Sequence, residues 1–385
     1  MRIAEIRELP VRLEGDVANA VVSFAEHDVS LVAVISDVVR DGRPVSGIAF
    51  NSIGRFAQSG IIHQRLAPRV LAADPSTLVD DAGLLDPSRV AAVAMRNEKP
   101  GGHGDRAGAV AALELACWDL RAKLRGEPAY ATIAHDFGRT PSSSMSVYAA
   151  GGYYFADDST ARLRAELLSY AQLGFSAFKM KIGGAAIDED CRRIEAALDV
   201  AGGGANLAVD ANARYDASTA LRAGESLRPY DLRWYEEPVD PLDFGALRRL
   251  IDAYDAPVAT GENLFSAADV RNLVAFGGMR AHDVFQMDAG LSYGLTEYAR
   301  MLDVLEEHGY DRLNAFPHGG HLINLHIGIG LNLGGCEVYP HVFAPFGGFS
   351  SACRLENGVA VPSDAPGFGL EEKRELRAPI AAVTA

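Results

Sequence analysis

Four short apolar runs each end in residues that could do chemistry. FKMKIGG (178–184) carries Lys179 and Lys181, LAVDANARY (207–215) carries Asp210 and Asn212, WYEEP (234–238) carries Glu236 and Glu237, and VATGENL (258–264) carries Glu262. The acids are evenly spaced: 236−210 and 262−236 both give 26 residues. Three carboxylates brought to one sheltered place repel each other strongly. A hard divalent cation relieves that repulsion, and an all-oxygen donor set without His or Cys points to Mg²⁺. Side chains alternate along a strand, so Lys179 and Lys181 should both point inward and Met180 outward. By the same rule Asn212 follows Asp210 into the site, and Glu237 faces away from Glu236. A lysine beside a second lysine and a cation is expected to lose its proton near neutrality and serve as a base. Singly, a Lys-x-Lys pair reads as a solvated strand face and an acidic strand end as a helix cap. The ordered set carries the argument.

The elements that must position these residues follow from the same spacing. Each run is strand-length and is followed by a helix-length segment, which is a βα repeat whose strand ends converge on one mouth of a barrel. The barrel opens at 146–150, with Gly151-Gly152 and two tyrosines at its mouth. Its second to fifth strands end at Lys181, Asp210, Glu236 and Glu262. A sixth over 283–287 ends at Asp288, a seventh covers 313–316, and a short eighth carries Glu337. The seventh runs into Pro317-His318-Gly319-Gly320-His321. An Asp at one strand end and a His at the next make a dyad, in which the carboxylate orients the imidazole and raises its pKa. That suits a proton donor opposite the lysine. His318 and His321 both remain candidates, whereas His326, in an apolar helix, reads as a core histidine.

The rest of the chain reads as a frame for that barrel. Residues 1–126 form an α+β capping domain, with a three-strand meander over 2–13, 30–39 and 45–50 and polar, glycine-containing loops near 14–29 and 51–60. Loops on a rigid scaffold commonly carry specificity, so these two are expected to act as lids. Gly102-His103-Gly104-Asp105-Arg106-Ala107 imitates a dinucleotide fingerprint, but Glu98-Lys99-Pro100 stands where the required strand should be. The segment instead opens a long helix that Gly126 and Pro128 stop. The barrel proper spans 127–345. Asn357-Gly358 marks a hairpin, and residues 346–385 are expected to pack back on the cap.

Composition excludes several classes. A net charge of −15 lacks the basic footprint that nucleic acid requires. No apolar run approaches the roughly 18 residues of a membrane span, and the first residues lack a signal peptide's apolar block. Four cysteines without CxxC spacing read as the reduced thiols of a cytoplasmic protein.

The ordered set resembles the enolase superfamily, in its mandelate racemase-like branch. The handling of such sites by a Lys or His base with Mg²⁺ is a general pattern of that superfamily. The resemblance implies a modified (β/α)8-type TIM barrel with a capping domain completed by the carboxyl-terminal segment. It implies Asp210, Glu236 and Glu262 as Mg²⁺ ligands, Lys181 as the base, and a symmetric homo-oligomer, often of eight barrels. It also favours His318 over His321 for the dyad, with the strand-eight acid 19 residues on (337−318). Four stretches (RNEKPGGHG, VYAAGGYY, FKMKIGG, and PHGGH with LGGCEVYP) look like the D-tartrate dehydratases within that branch. That closer likeness implies Lys99 as a contact to a substrate carboxylate and Lys179 as the second site lysine. Tyr148, Asn212, His321 and Glu337 complete the expected substrate contacts. The implied reaction is α-proton abstraction to an enediolate stabilised by Mg²⁺, then loss of a β-hydroxyl to give a 2-keto acid. Alternatives are another acid-sugar dehydratase or epimerase, a Schiff-base aldolase, and a barrel that binds acids without turnover.

Overall fold

The computed structural model of the chain describes residues 1–15, 17–154 and 160–385. Its first strands, β1 (Ile3–Arg12), β2 (Asp28–Arg40) and β3 (Arg43–Phe50), form an antiparallel sheet in that order. The run Val29–Ile35 of β2 is buried on both faces, as its near-continuous apolar sequence requires. One face is covered by the 21-residue helix Asp105–Arg125. The two approach so closely at Gly47 that a Cβ there would stand 2.0 Å from the Ala116 carbonyl oxygen. Gly126, at φ 74° in the left-handed region, ends the helix.

The long helix also joins the cap to the barrel. Glu114, fully buried on it, accepts from Trp118 Nε1 at 2.8 Å, from Leu295 N at 2.8 Å and from Thr296 N at 3.0 Å. Its carboxylate therefore satisfies the free amides at the start of the barrel helix Leu295–Glu307, where negative charge is favoured.

The barrel strands run parallel in the order β4 (Met145–Gly151), β5 (Phe178–Lys181), β6 (Leu207–Asp210), β7 (Tyr235–Glu236), β8 (Val258–Thr260) and β9 (Val284–Phe285). β10 (Cys336–Val338) pairs parallel with β4 and closes the ring. Amphipathic helices such as Ile187–Ala201 and Phe244–Ala253 follow the strands and turn their apolar stripes inward. The expected seventh strand is cut to one bridge between Phe285 and Ala315. Asp311 caps a short 3₁₀ turn over Arg312–Asn314, and Arg312 is tied to Asp303 and Glu306, so the chain coils where a strand was expected. The fifth and sixth strands also stop short, and Glu262 and Asp288 sit in the loops beyond them.

The hairpin of β11 (Arg354–Glu356) and β12 (Val359–Val361) turns at Asn357 and Gly358, both at positive φ, and pairs antiparallel with the start of β4. The chain then returns to the cap. Phe368 N donates to Asp119 Oδ1 at 2.6 Å while Ile48 N donates to Oδ2 at 2.7 Å, so one buried carboxylate pins the carboxyl-terminal segment and β3 to the long helix. The last helix, Arg377–Thr384, packs on β1 and β2. Among the described residues no helix is long and apolar enough to cross a membrane.

Two predictions follow from this packing. Glu114→Ala leaves several buried donors without an acceptor and should cost roughly 3 kcal/mol in denaturant unfolding, with Glu114→Gln losing less. His326 accepts from Tyr130 N at 3.3 Å, and burial pushes its pKa down to about 3. An unfolded histidine titrates near 6.5, so the unfolded state binds more protons below that pH. The stability from neutral His326 is complete above about pH 6.5 and is lost as pH falls toward 3, by roughly 1 kcal/mol per pH unit. Thermal scans across that window should show the loss, and His326→Gln should flatten it.

Candidate active site

The barrel interior is built in two layers. Its apolar floor comes from Tyr148, Trp234 and Phe316, with Tyr148 meeting Trp234 edge to face at 5.1 Å between centroids. Above the floor lies a layer of charge. Lys181 is in register with Asp210, and Asp210 with Glu236, so inward-pointing residues of neighbouring strands meet at one level. Lys181 Nζ donates to Asp210 Oδ2 at 2.5 Å, and Lys179 Nζ donates to Glu236 Oε1 at 2.6 Å. Lys179 Nζ also stands 2.6 Å from Glu337 Oε1 as an ion contact and 3.6 Å from Asp210 Oδ2. Glu236 Oε2 accepts from Trp234 Nε1 at 2.9 Å and Gln286 Nε2 at 2.8 Å.

These contacts decide the charge states. Burial would lower the pKa of Lys181, but Asp210 outweighs it and holds the ammonium above its usual range. Glu236 and Glu337 do the same for Lys179. Burial would raise Asp210, yet Lys181 and Lys179 pull it down to about 2. Burial and the nearby Asp210 raise Glu236 to about 7, against Lys179. The expected base lay beside a second lysine and a cation; here the surrounding carboxylates favour the charged form of both lysines.

Above the charged layer opens a cleft of about 260 Å³. Lys181, Asn212, Glu237, Glu262, Asn263 and His318 line its barrel side. Asn19 and Phe24 from the first cap loop, and Ile53 and Arg55 from the second, line the other side. His318 Nδ1 is 3.2 Å from Asp288 Oδ2, and Nε2 is 3.3 Å from both Glu262 Oε2 and the Tyr339 hydroxyl. Burial would lower its pKa, but Glu262 and the Asp288 hydrogen bond raise it to about 10. These two carboxylates favour the protonated imidazole.

Several expected contacts lie elsewhere. His321 is buried behind the cleft, 3.2 Å from Ser52 Oγ and edge-on to Phe50, and burial lowers its pKa to about 4. Tyr148 belongs to the apolar floor. Glu337 lies under the cleft, where its Oε2 accepts from Gly319 N at 2.9 Å. Lys99 is exposed and lines a separate cavity of about 590 Å³ with Glu98, Arg106 and Arg300. A third cavity, of about 640 Å³ near Lys373, is also distinct. Conversely, Glu237 does not face away. Its φ of 38°, like those of Asn212 and Ala213 at 45° and 58°, belongs to the sparsely used left-handed region, and its carboxylate, at the cleft, accepts from Asn263 Nδ2. Burial and Glu262 push its pKa well up. Strict strand alternation hid this residue, and only the doubled Glu-Glu before Pro238 signalled it. Arg55, Asn263 and Tyr339 were missed as well; Arg55 at least lay in an anticipated lid loop.

No three His, Cys, Asp or Glu among the described residues stand at metal-ligand geometry. The donor chemistry nonetheless fits a hard cation. Glu262 Oε2 and Asn212 Oδ1, on residues that line the cleft, are buried oxygens without a hydrogen bond, and the two lysines balance Asp210 and Glu236 nearby in the barrel.

Lys181 and the Asp288-bound His318 line one cleft of the barrel, a pairing of groups able to take and give a proton. The chain belongs to the family described as Enolase C-terminal domain-like, matched over residues 162–376, in the enolase and mandelate racemase superfamily. It is 26% identical over 348 residues to an L-talarate/galactarate dehydratase of Salmonella typhimurium, covering 90% of this chain and 82% of that protein. It is 28% identical over 265 residues to an arabinonate dehydratase of Saccharolobus solfataricus, covering 68% of each. The fold matches that of an L-talarate dehydratase from Polaromonas sp. JS666 complexed with Mg and L-glucarate, with a TM-score of 0.77, 22% identity and coverage of 96% and 94%.

The two histidines can be told apart directly. His318→Asn should lower turnover of any substrate by at least a hundredfold, measured as kcat. His321→Asn should change kcat less than tenfold and act mainly on thermal stability.

Proposed function

We propose that this protein is a Mg²⁺-dependent acid-sugar dehydratase, a carbon–oxygen lyase, with D-tartrate as its substrate and oxaloacetate as the product. The observation that carries the reading is the pairing of Lys181, from barrel position two, with the Asp288-bound His318, from position seven, on one small cleft. Asp210, Glu236 and Glu262 would hold the metal ion, with Glu237 a further acid at the cleft wall. Bound there, Mg²⁺ would supply positive charge to a substrate carboxylate and so acidify its α-proton.

The remaining chemistry belongs to this chain. Lys181 Nζ takes the α-proton, which requires that Asp210 no longer hold it as the ammonium. His318, oriented through Nδ1 by Asp288, gives a proton from Nε2 to the departing β-hydroxyl, which leaves as water. The resulting enol tautomerises to a 2-keto acid. Lys179 stays charged and balances Glu236 and Glu337 beneath the site. The dehydratase names of the relatives support the reaction class. Of the stretches behind the tartrate reading, VYAAGGYY, FKMKIGG and PHGGH with LGGCEVYP reach the cleft, while RNEKPGGHG, with Lys99, does not.

Incubation with Mg²⁺ and D-, L- or meso-tartrate tests both levels. Oxaloacetate should form from the D isomer alone and should stop with EDTA. In deuterium oxide, Lys181→Ala should lose both turnover and α-proton exchange, while His318→Asn should lose turnover and keep exchange. Exchange or inversion without loss of water in the wild type would replace the dehydratase reading with an epimerase.

A further inference from the structure

A dicarboxylate needs a cation at each end, and Lys99 is not at the cleft. Among the described residues that line it, the cationic side chains are Lys181, His318 and Arg55. The first two are committed to proton transfer. Arg55 is held at the mouth from several sides. Its carbonyl oxygen accepts from Asn51 Nδ2 at 3.2 Å, its Nη2 donates to Asn263 Oδ1 at 2.9 Å, and its guanidinium lies 5.7 Å over the Phe265 ring. Asn263 is itself fixed, because its Nδ2 donates to Glu237 Oε1 and Oε2 at 3.0 and 3.1 Å. Arg55 Nε is buried and has no hydrogen-bond partner, and no carboxylate of the described residues lies within ion-pair distance of the group. A buried donor left unmet is costly, and a guanidinium offers its Nε and Nη donors as a fork that matches a carboxylate.

We propose that Arg55 binds the distal carboxylate of the substrate, so that the cleft selects short diacids over monocarboxylic acids of the same length. This rests on the reading of the cleft as an acid-sugar site. The Arg55–Asn263–Glu237 chain orients the guanidinium on the loop after β8, and Phe265 backs its face. The anchor is set on the cap while the reacting end is held by the barrel, so substrate length is measured across the joint between them. With a volume of about 260 Å³, the cleft suits small acids.

Unreactive probes separate this inference from the reaction itself. Calorimetry with Mg²⁺ present would compare malonate, succinate, glutarate and adipate with monocarboxylates of equal carbon number, for the wild-type chain, Arg55→Lys and Arg55→Gln. At least one diacid should bind the wild type tenfold or more tighter than its monocarboxylate partner. Arg55→Gln should erase that difference while leaving monocarboxylate affinity within about threefold, and Arg55→Lys should keep part of it. A wild type without diacid preference overturns the proposal, as does a preference that survives Arg55→Gln. If Arg55→Gln does not fold, undiminished preference in Arg55→Lys likewise overturns it, because a lysine lacks the fork. Dehydration of monocarboxylic acids only would sink this inference and leave the lyase reading standing. Arg55-dependent diacid binding without loss of water from any hydroxy diacid would do the reverse.

Discussion

The structure depends on keeping two ammonium groups and several carboxylates buried side by side. Lys179 and Lys181 are almost wholly buried, as are Asp210, Glu236 and Glu337. None of them could stay charged alone, because an unpaired ion in such surroundings costs several kcal/mol or loses its charge. They are tolerated as a set, each cation against carboxylates and Glu236 further met by Trp234 and Gln286. Much of the barrel follows from this demand. The strands must end at the same level, the floor must be dry, and the indole N–H must rise from that floor to the charged layer. Removing one member would leave its partners exposed to the penalty the set exists to avoid.

The same layer explains how a single barrel can hold both a proton acceptor and a proton donor. Lys181 is tied to one carboxylate, whose charge a metal ion can claim. His318 is tied to two, Glu262 and Asp288, on different loops, and Asp288 stands outside the carboxylate set proposed for the metal. The difference lies in which acids surround each group, since both are largely buried and both line the cleft. The cap supplies what the barrel lacks, a wall with its own polar groups, and the Glu114 carboxylate keeps that wall at a fixed height over the strand ends.

Much of this was legible in the sequence, and what was not has a physical cause. The equal intervals from Asp210 to Glu262 located the strand ends because a βα unit has a narrow range of lengths. The meander and the long helix were legible from β-branched runs and from a glycine stop. Alternation failed at Glu237, where positive φ breaks the two-residue period, and around 313–316, where a capping aspartate wins over strand propensity. The placement of Lys99, Tyr148, His321 and Glu337 was beyond reach for another reason. Sequence order tells which residues follow a strand end, but not whether they finish above the cleft, beneath it or behind it. Arg55 carries no local signal of its own, because its neighbours at the cleft, Asn263 and Phe265, are about two hundred residues away.

The return of the last helix to β1 and β2 has a consequence for how the protein is made. Synthesis delivers the cap's sheet before the barrel, yet the helix Arg377–Thr384 that packs on it and the Phe368 amide that meets Asp119 come after the barrel. The barrel is in effect a guest inserted within its host. A nascent chain can form the meander early, but one face of it stays open to the solvent, or to a chaperone, until the whole barrel has been translated. Closure of the cap therefore waits for the segment that follows the barrel, and a chain cut before Phe368 would keep its reactive residues while leaving that apolar face uncovered.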